Sequence, residues 1–107
     1  MDTLDKQLTE LLDHYNRLLG RMIDITKARQ VQEIIDRLLD VRRAMVNLSL
    51  EESGSAYQVA IKAMDEANAS AAWTLQNLSN FALGLEKAKA AATALDKLIE
   101  AGAGAVG

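Results

Sequence analysis

The sequence predicts an all-α protein: a long antiparallel helical hairpin assembled into a larger helical bundle, with a four-helix bundle as the alternative. Three observations carry this. Ala, Leu, Met, Gln, Glu and Lys, all good helix formers, dominate the chain, and there is no proline. Apolar residues recur in steps of four and three, the mark of a heptad seam. No run shows the β-branched and aromatic alternation, bounded by turn residues, that a strand needs.

Taken in order, Thr3 is placed to cap the first helix, with Asp5 in a first turn where the helix dipole favours an acid. The seam then reads Leu4, Leu8, Leu11, Tyr15, Leu18, Met22 and Ile25, and resumes as Val31, Ile34, Leu38, Val41, Met45 and Leu48. Its phase slips between Ile25 and Val31. A continuous helix with altered winding is the favoured reading there, because Thr26-Lys-Ala-Arg-Gln contains no Gly or Pro. The alternative is a break near Asp24 to Lys27, with Asp24 or Thr26 capping a new start. Doublets such as Leu11-Leu12, Leu18-Leu19, Met22-Ile23, Ile34-Ile35 and Leu38-Leu39 widen the stripe to the a, d and e positions. One partner helix cannot cover a stripe that wide.

Glu51-Glu52-Ser53-Gly54-Ser55 is the clearest punctuation. Gly54 is expected in a left-handed turn conformation, and Ser55 as the cap of the next helix. The second seam runs Tyr57, Ile61, Met64, Asn68, Ala71, Leu75, Leu78, Ala82 and Leu85, slips by one after Gly84, and continues as Ala88, Ala92, Leu95 and Ile99. The expected organisation is one helical domain over residues 1–101, with helix over about 3–50, a turn at 51–55 and helix over about 56–101. A small-residue tail, 102–107, follows. Each run of about 45 residues would span roughly 70 Å if unbroken. In such a hairpin, facing residues have numbers summing to about 105, and Gly20 lies opposite Gly84 or Leu85.

Composition narrows the function. The net charge is −3 and the only basic pair is Arg42-Arg43, which disfavours nucleic acid. Without cysteine there are no disulfides, no thiolate chemistry and no zinc-finger spacing. The N-terminal residues lack the basic region and continuous apolar core of a secretory signal peptide. The cytoplasm is therefore the default location, and leaderless export stays compatible with the sequence.

The most informative stretch is Ala67 to Leu85, ANASAAWTLQNLSNFALGL, which carries no charge in a chain that is one quarter Asp, Glu, Lys and Arg. Its amides and hydroxyls are too many for a membrane span. It reads as a helix covered by protein on more than one face. With Ile61, Leu75 and Ala82 on the seam, Val59, Glu66, Trp73 and Asn80 fall on the opposite face, where Lys and Glu are usual. The only tryptophan stands there among small neutral residues, a composition suited to close helix contact. Trp73, Gln76, Asn77, Asn80, Phe81, Leu83 and Gly84 are accordingly the predicted interface, and the partner is a second copy or another helical protein. The alternative is that the chain folds back and buries this face itself.

In length, charge and two-helix plan the chain resembles small leaderless secreted helical hairpins, such as those with a Trp-x-Gly turn or the needle subunits of type III secretion. The Trp-x-Gly turn itself is absent, since Trp73 is followed by Thr74-Leu75, and so is the proline-containing turn of the needle subunits.

Chemistry is harder to place. Glu10-Leu-Leu-Asp13 and Glu33-Ile-Ile-Asp36 share an acid-x-x-acid spacing that holds Mg²⁺ in all-α nucleotide pyrophosphatases. Both pairs, however, fall on the outer face relative to their seams, as solvated acids do. His14 is the only histidine, and Glu10 precedes it by four residues rather than the three of a di-iron motif. It reads as a surface histidine flanking the seam. No nucleophile with a base and no phosphate loop is legible, so neither catalytic residues nor a bound metal or cofactor is expected. The functional expectation is a non-catalytic helical interaction or assembly protein, such as a secretion-system or phage-type component or an adaptor. A metal-dependent nucleotide hydrolase and a membrane-active helical protein are the alternatives.

Overall fold

The structure, a computed structural model describing residues 2–46 and 54–106, is all-α, and the four-helix arrangement is the one realised. Helix α1 spans Asp2–Arg21, α2 Ile25–Val46, α3 Ser55–Gln76 and α4 Phe81–Val106, with a 3-10 turn at Leu78–Asn80. Each long run is thus broken once.

The first break overturns the expected continuity between the Leu4–Ile25 and Val31–Leu48 seams. The Met22 amide donates to the Leu19 carbonyl at 3.2 Å and closes α1. Asp24 then caps α2: its Oδ1 accepts the Thr26 amide at 2.8 Å and the Lys27 amide at 3.4 Å. Folding back here needs no Gly or Pro, because the wide stripe rewards it. Leu12 and Ile35, the outer members of their doublets, are buried along with Leu11 and Ile34. One long hairpin would leave them wet, and each such side chain is worth about 1.5–3 kcal/mol when buried.

The second break lies inside the charge-free stretch, which is a helix–turn–helix corner rather than one helix. Asn77 leaves α3 with extended backbone (φ −143°, ψ 96°), and its Oδ1 accepts the Ser79 amide at 3.2 Å and the Ser79 hydroxyl at 2.6 Å. Those bonds start the 3-10 turn that delivers the chain into α4.

Cross-helix contacts give the topology. Asp5 pairs with Arg42 at 3.8 Å, so α1 and α2 are antiparallel. Glu66 pairs with Lys87 at 3.9 Å, and Gly84 sits against Thr74, so α3 and α4 are antiparallel too. Between the hairpins the numbers rise together: Gln7 with Asp65, His14 with Asn68, and Arg21 with the Leu75 carbonyl. Helix α1 therefore runs parallel to α3. Lys27 near Phe81 and Arg37 near Asp96 place α2 parallel to α4. The two hairpins lie side by side, with α1 diagonal to α4 and α2 diagonal to α3. The molecule measures 45 × 20 × 19 Å, too short for 70 Å helices. The register summing to 105 gives way to pairs separated by 54–61 residues.

Most seam residues fill the core, among them Leu4, Leu8, Leu11, Leu38, Met64 and Leu95. The exceptions cluster at the two corners, where Ile25, Leu78 and Ala82 are exposed. Leu48 and residues 51–53 of the predicted turn lie outside the described residues. Three smaller expectations are corrected. Helix α1 starts at Asp2, ahead of the Thr3 cap. Gly54 has φ −68° and ψ 150°, ordinary extended backbone that other residues adopt, so no left-handed turn resides there. It precedes α3 as the capping residue, and Ser55 is already helical. The segment 102–106 continues α4 rather than forming a tail.

A polar bond crosses the core diagonally: the Tyr15 hydroxyl donates to the Gly84 carbonyl at 2.8 Å. Burial pushes the Tyr15 phenol well above its ordinary range. Because the folded phenol titrates higher than the unfolded one near pH 10, its contribution is complete below that pH and is lost as pH rises above it. Tyr15→Phe should cost about 1 kcal/mol at neutral pH. The variant should also lose less melting temperature than wild type between neutral pH and pH values above about 10, as thermal melts across that range would show.

Candidate functional site

The α3–α4 seam is built for close approach. Ala60, Ala67 and Ala71 on α3 and Ala88, Ala91 and Ala92 on α4 are buried and small. At Gly84 the approach is tightest, since a Cβ there would lie 2.5 Å from Thr74 Oγ1. Thr74 is itself fixed: its hydroxyl donates to the Ser70 carbonyl at 2.8 Å and accepts from Asn80 Nδ2 at 3.2 Å. Glycine at residue 84 is what lets the backbone of α4 come this near.

The predicted interface residues divide around this seam. Gly84 and Phe81 are buried inside it, and Asn80 is half-buried and spent on Thr74. Asn77 is exposed, but its side chain is engaged in the turn. None of these four presents a free surface. Trp73, Leu83 and Gln76 do. Trp73 is 55% exposed and Leu83 49%.

Helix geometry sets these two together. Thr74 and Gly84 mark the point where α3 and α4 touch. Trp73 and Leu83 each precede that point by one residue, a rotation of about 100° on an α-helix. In antiparallel helices the two rotations run to the same side, so both side chains stand on one outer face at one level. The charges beside them, Glu66 and Lys87, are paired with each other across the seam. The self-burial expected of a four-helix chain therefore does not reach Trp73: the fold closes, and the ring stays outside.

The acidic pairs and His14 lie elsewhere. Glu10, Asp13, Glu33 and Asp36 are all exposed. Asp13 is bridged by Arg17 at 3.1 Å, and Asp36 accepts from Gln32 at 3.0 Å. Among the described residues no three His, Asp or Glu side chains come together as metal ligands would. His14 is half-buried in the α1–α3 groove, where its Nδ1 lies 3.1 Å from Asn68 Oδ1 while Asn68 Nδ2 donates to the Gln7 carbonyl at 3.0 Å. These bonds give Asn68, a seam position in the heptad, its partners.

Sequence reasoning missed one feature, an apolar end of the bundle formed by Ile23, Ile25 and Leu78. The heptad placed Ile25 and Leu78 on the seam, and only the slip in its phase hinted otherwise. No helix among the described residues is long and apolar enough to cross a membrane. No protein-family model, curated protein or solved structure matches the chain.

Proposed function

We propose that the chain is a non-catalytic assembly protein that associates with a second copy of itself through the outer face of α3 and α4. The observation that carries this is the pair Trp73 and Leu83, standing together at one level on one exposed outer face of α3 and α4. The face is also neutral. Residues 67–85 carry no charge, and Glu66 and Lys87 at its edge neutralise each other, so two copies meet there without opposing like charges. Ala69, small and exposed, leaves room for a facing ring. Burying most of an indole gains on the order of 2 kcal/mol per copy by transfer.

Since Trp73 is the only tryptophan, its emission reports this face alone. On raising the concentration from nanomolar to tens of micromolar, emission should shift to the blue and acrylamide quenching should fall. An emission maximum that stays red and freely quenched throughout would refute association through Trp73. A red-shifted ring in a chain that nonetheless oligomerises would move the interface to another face.

A further inference from the structure

We propose that the corner end of the bundle, distinct from the Trp73–Leu83 face, docks on the surface of an anionic membrane. Both helix–helix corners open at this end, as the Arg21 contact with the Leu75 carbonyl and the Lys27 ammonium 5.7 Å from the Phe81 ring centroid establish. Three aliphatic side chains project there into solvent: Ile23 is fully exposed, Ile25 is 71% exposed and Leu78 43%. Between Ile23 and Leu78 is a shallow hollow of about 200 Å³, lined also by Met22, Asp24, Lys27 and Phe81.

The charge around this end is net positive. Arg21, Lys27 and Arg29 are in no ion pair among the described residues. Asp24 is turned onto the Thr26 and Lys27 amides as a helix cap. Asp13, Glu33 and Glu66 are set back along α1, α2 and α3, while Glu86 on α4 stands about level with Arg29, since α2 and α4 pair with offsets of 56–59 residues. Three cations against two acids, one of them spent as a helix cap, thus stand at this end of a chain whose net charge is −3.

Exposed aliphatic residues at the tip, with Arg and Lys around them, match a lipid interface. The isoleucines enter the boundary between headgroups and acyl chains, while the cations stay level with the phosphates. A nucleic acid would use the cations and leave the isoleucines in water. With no membrane-crossing helix among the described residues, the attachment is peripheral.

The test is co-sedimentation of the full chain with vesicles of phosphatidylcholine alone and of phosphatidylcholine containing a third phosphatidylglycerol. Binding is expected to the anionic vesicles at low salt, and to weaken as salt rises. Arg29→Glu should weaken it about five-fold or more, from about 1 kcal/mol per basic residue at the surface. Ile23→Asp with Ile25→Asp should weaken it at least as much while leaving helicity and solution mass at wild-type values. Failure of the wild type to bind, equal binding to neutral and anionic vesicles, or undiminished binding by the double variant would overturn the proposal. So would a fall in solution mass for that double variant without vesicle binding by wild type, which would make this end a contact between copies instead.

Discussion

Gly84→Val should lower stability by about 2–3 kcal/mol, although it replaces a glycine in a helix with a residue of better helix propensity. The propensity gain is about half a kcal/mol. Against it stands a Cβ that would lie 2.5 Å from Thr74 Oγ1 and 3.7 Å from Ser70 Oγ. Thr74 cannot swing aside freely: it is buried and β-branched, and its hydroxyl is held by the Ser70 carbonyl and the Asn80 amide. Either those bonds break, at about 1 kcal/mol each, or α3 and α4 separate and the alanine seam loosens. The Tyr15 bond to the Gly84 carbonyl would be strained as well. A cycle with Thr74→Ala isolates the cause. Gly84→Ala should destabilise the wild type but be neutral or stabilising once Thr74 is Ala, because the clash is gone and only propensity remains. Equal effects in both backgrounds, by urea denaturation, would mean that Thr74 is not what forbids a side chain there.

Leu38→Ala should cost about 3 kcal/mol. Leu38 is completely buried on α2, one residue past Arg37, which reaches across to Thr93 and Asp96 of α4 at 3.2 and 3.0 Å. Truncation there removes apolar burial and leaves a cavity that four packed helices fill poorly. Val46, 75% exposed on the same helix, supplies the control: Val46→Ala should change stability by less than about 0.5 kcal/mol. A midpoint for Leu38→Ala close to wild type would mean that α2 is not clamped between α1 and α4.

The helices were legible because the chain repeats one signal. Leu4, Leu8, Leu11, Tyr15 and Leu18 follow the heptad and are all buried, as are Val31, Ile34, Leu38, Val41 and Met45. The doublets also carried a correct message: a stripe that includes Leu12 and Ile35 needs more than one partner helix. The corner at Met22–Asp24 was not legible as such, since no Gly or Pro marks it and the phase slip admits either a rewound helix or a break. Burial decided between them, and burial is a tertiary quantity. Asp24 supplied the local signal, a cap in the middle of an apparently continuous run.

The candidate site was legible in part for a related reason. The same seven-residue step that set Trp73 opposite the core face applied along α3, and Trp73 is exposed. It did not apply past Asn77, where the chain turns, so Phe81 and Gly84 moved to the inside and Leu83 stayed out. The apolar corner end escaped notice because Ile25 and Leu78 kept the heptad spacing while the helices that would have used it had already stopped.

The measurement that bears most directly on association through the α3–α4 face is the mass in solution at tens of micromolar, by light scattering coupled to size exclusion. Wild type should run at twice the 11.6 kDa of one chain or more, and Trp73→Glu and Leu83→Glu should each run as a monomer with wild-type helicity. A monomeric wild type, or an oligomer that survives both substitutions, would contradict it.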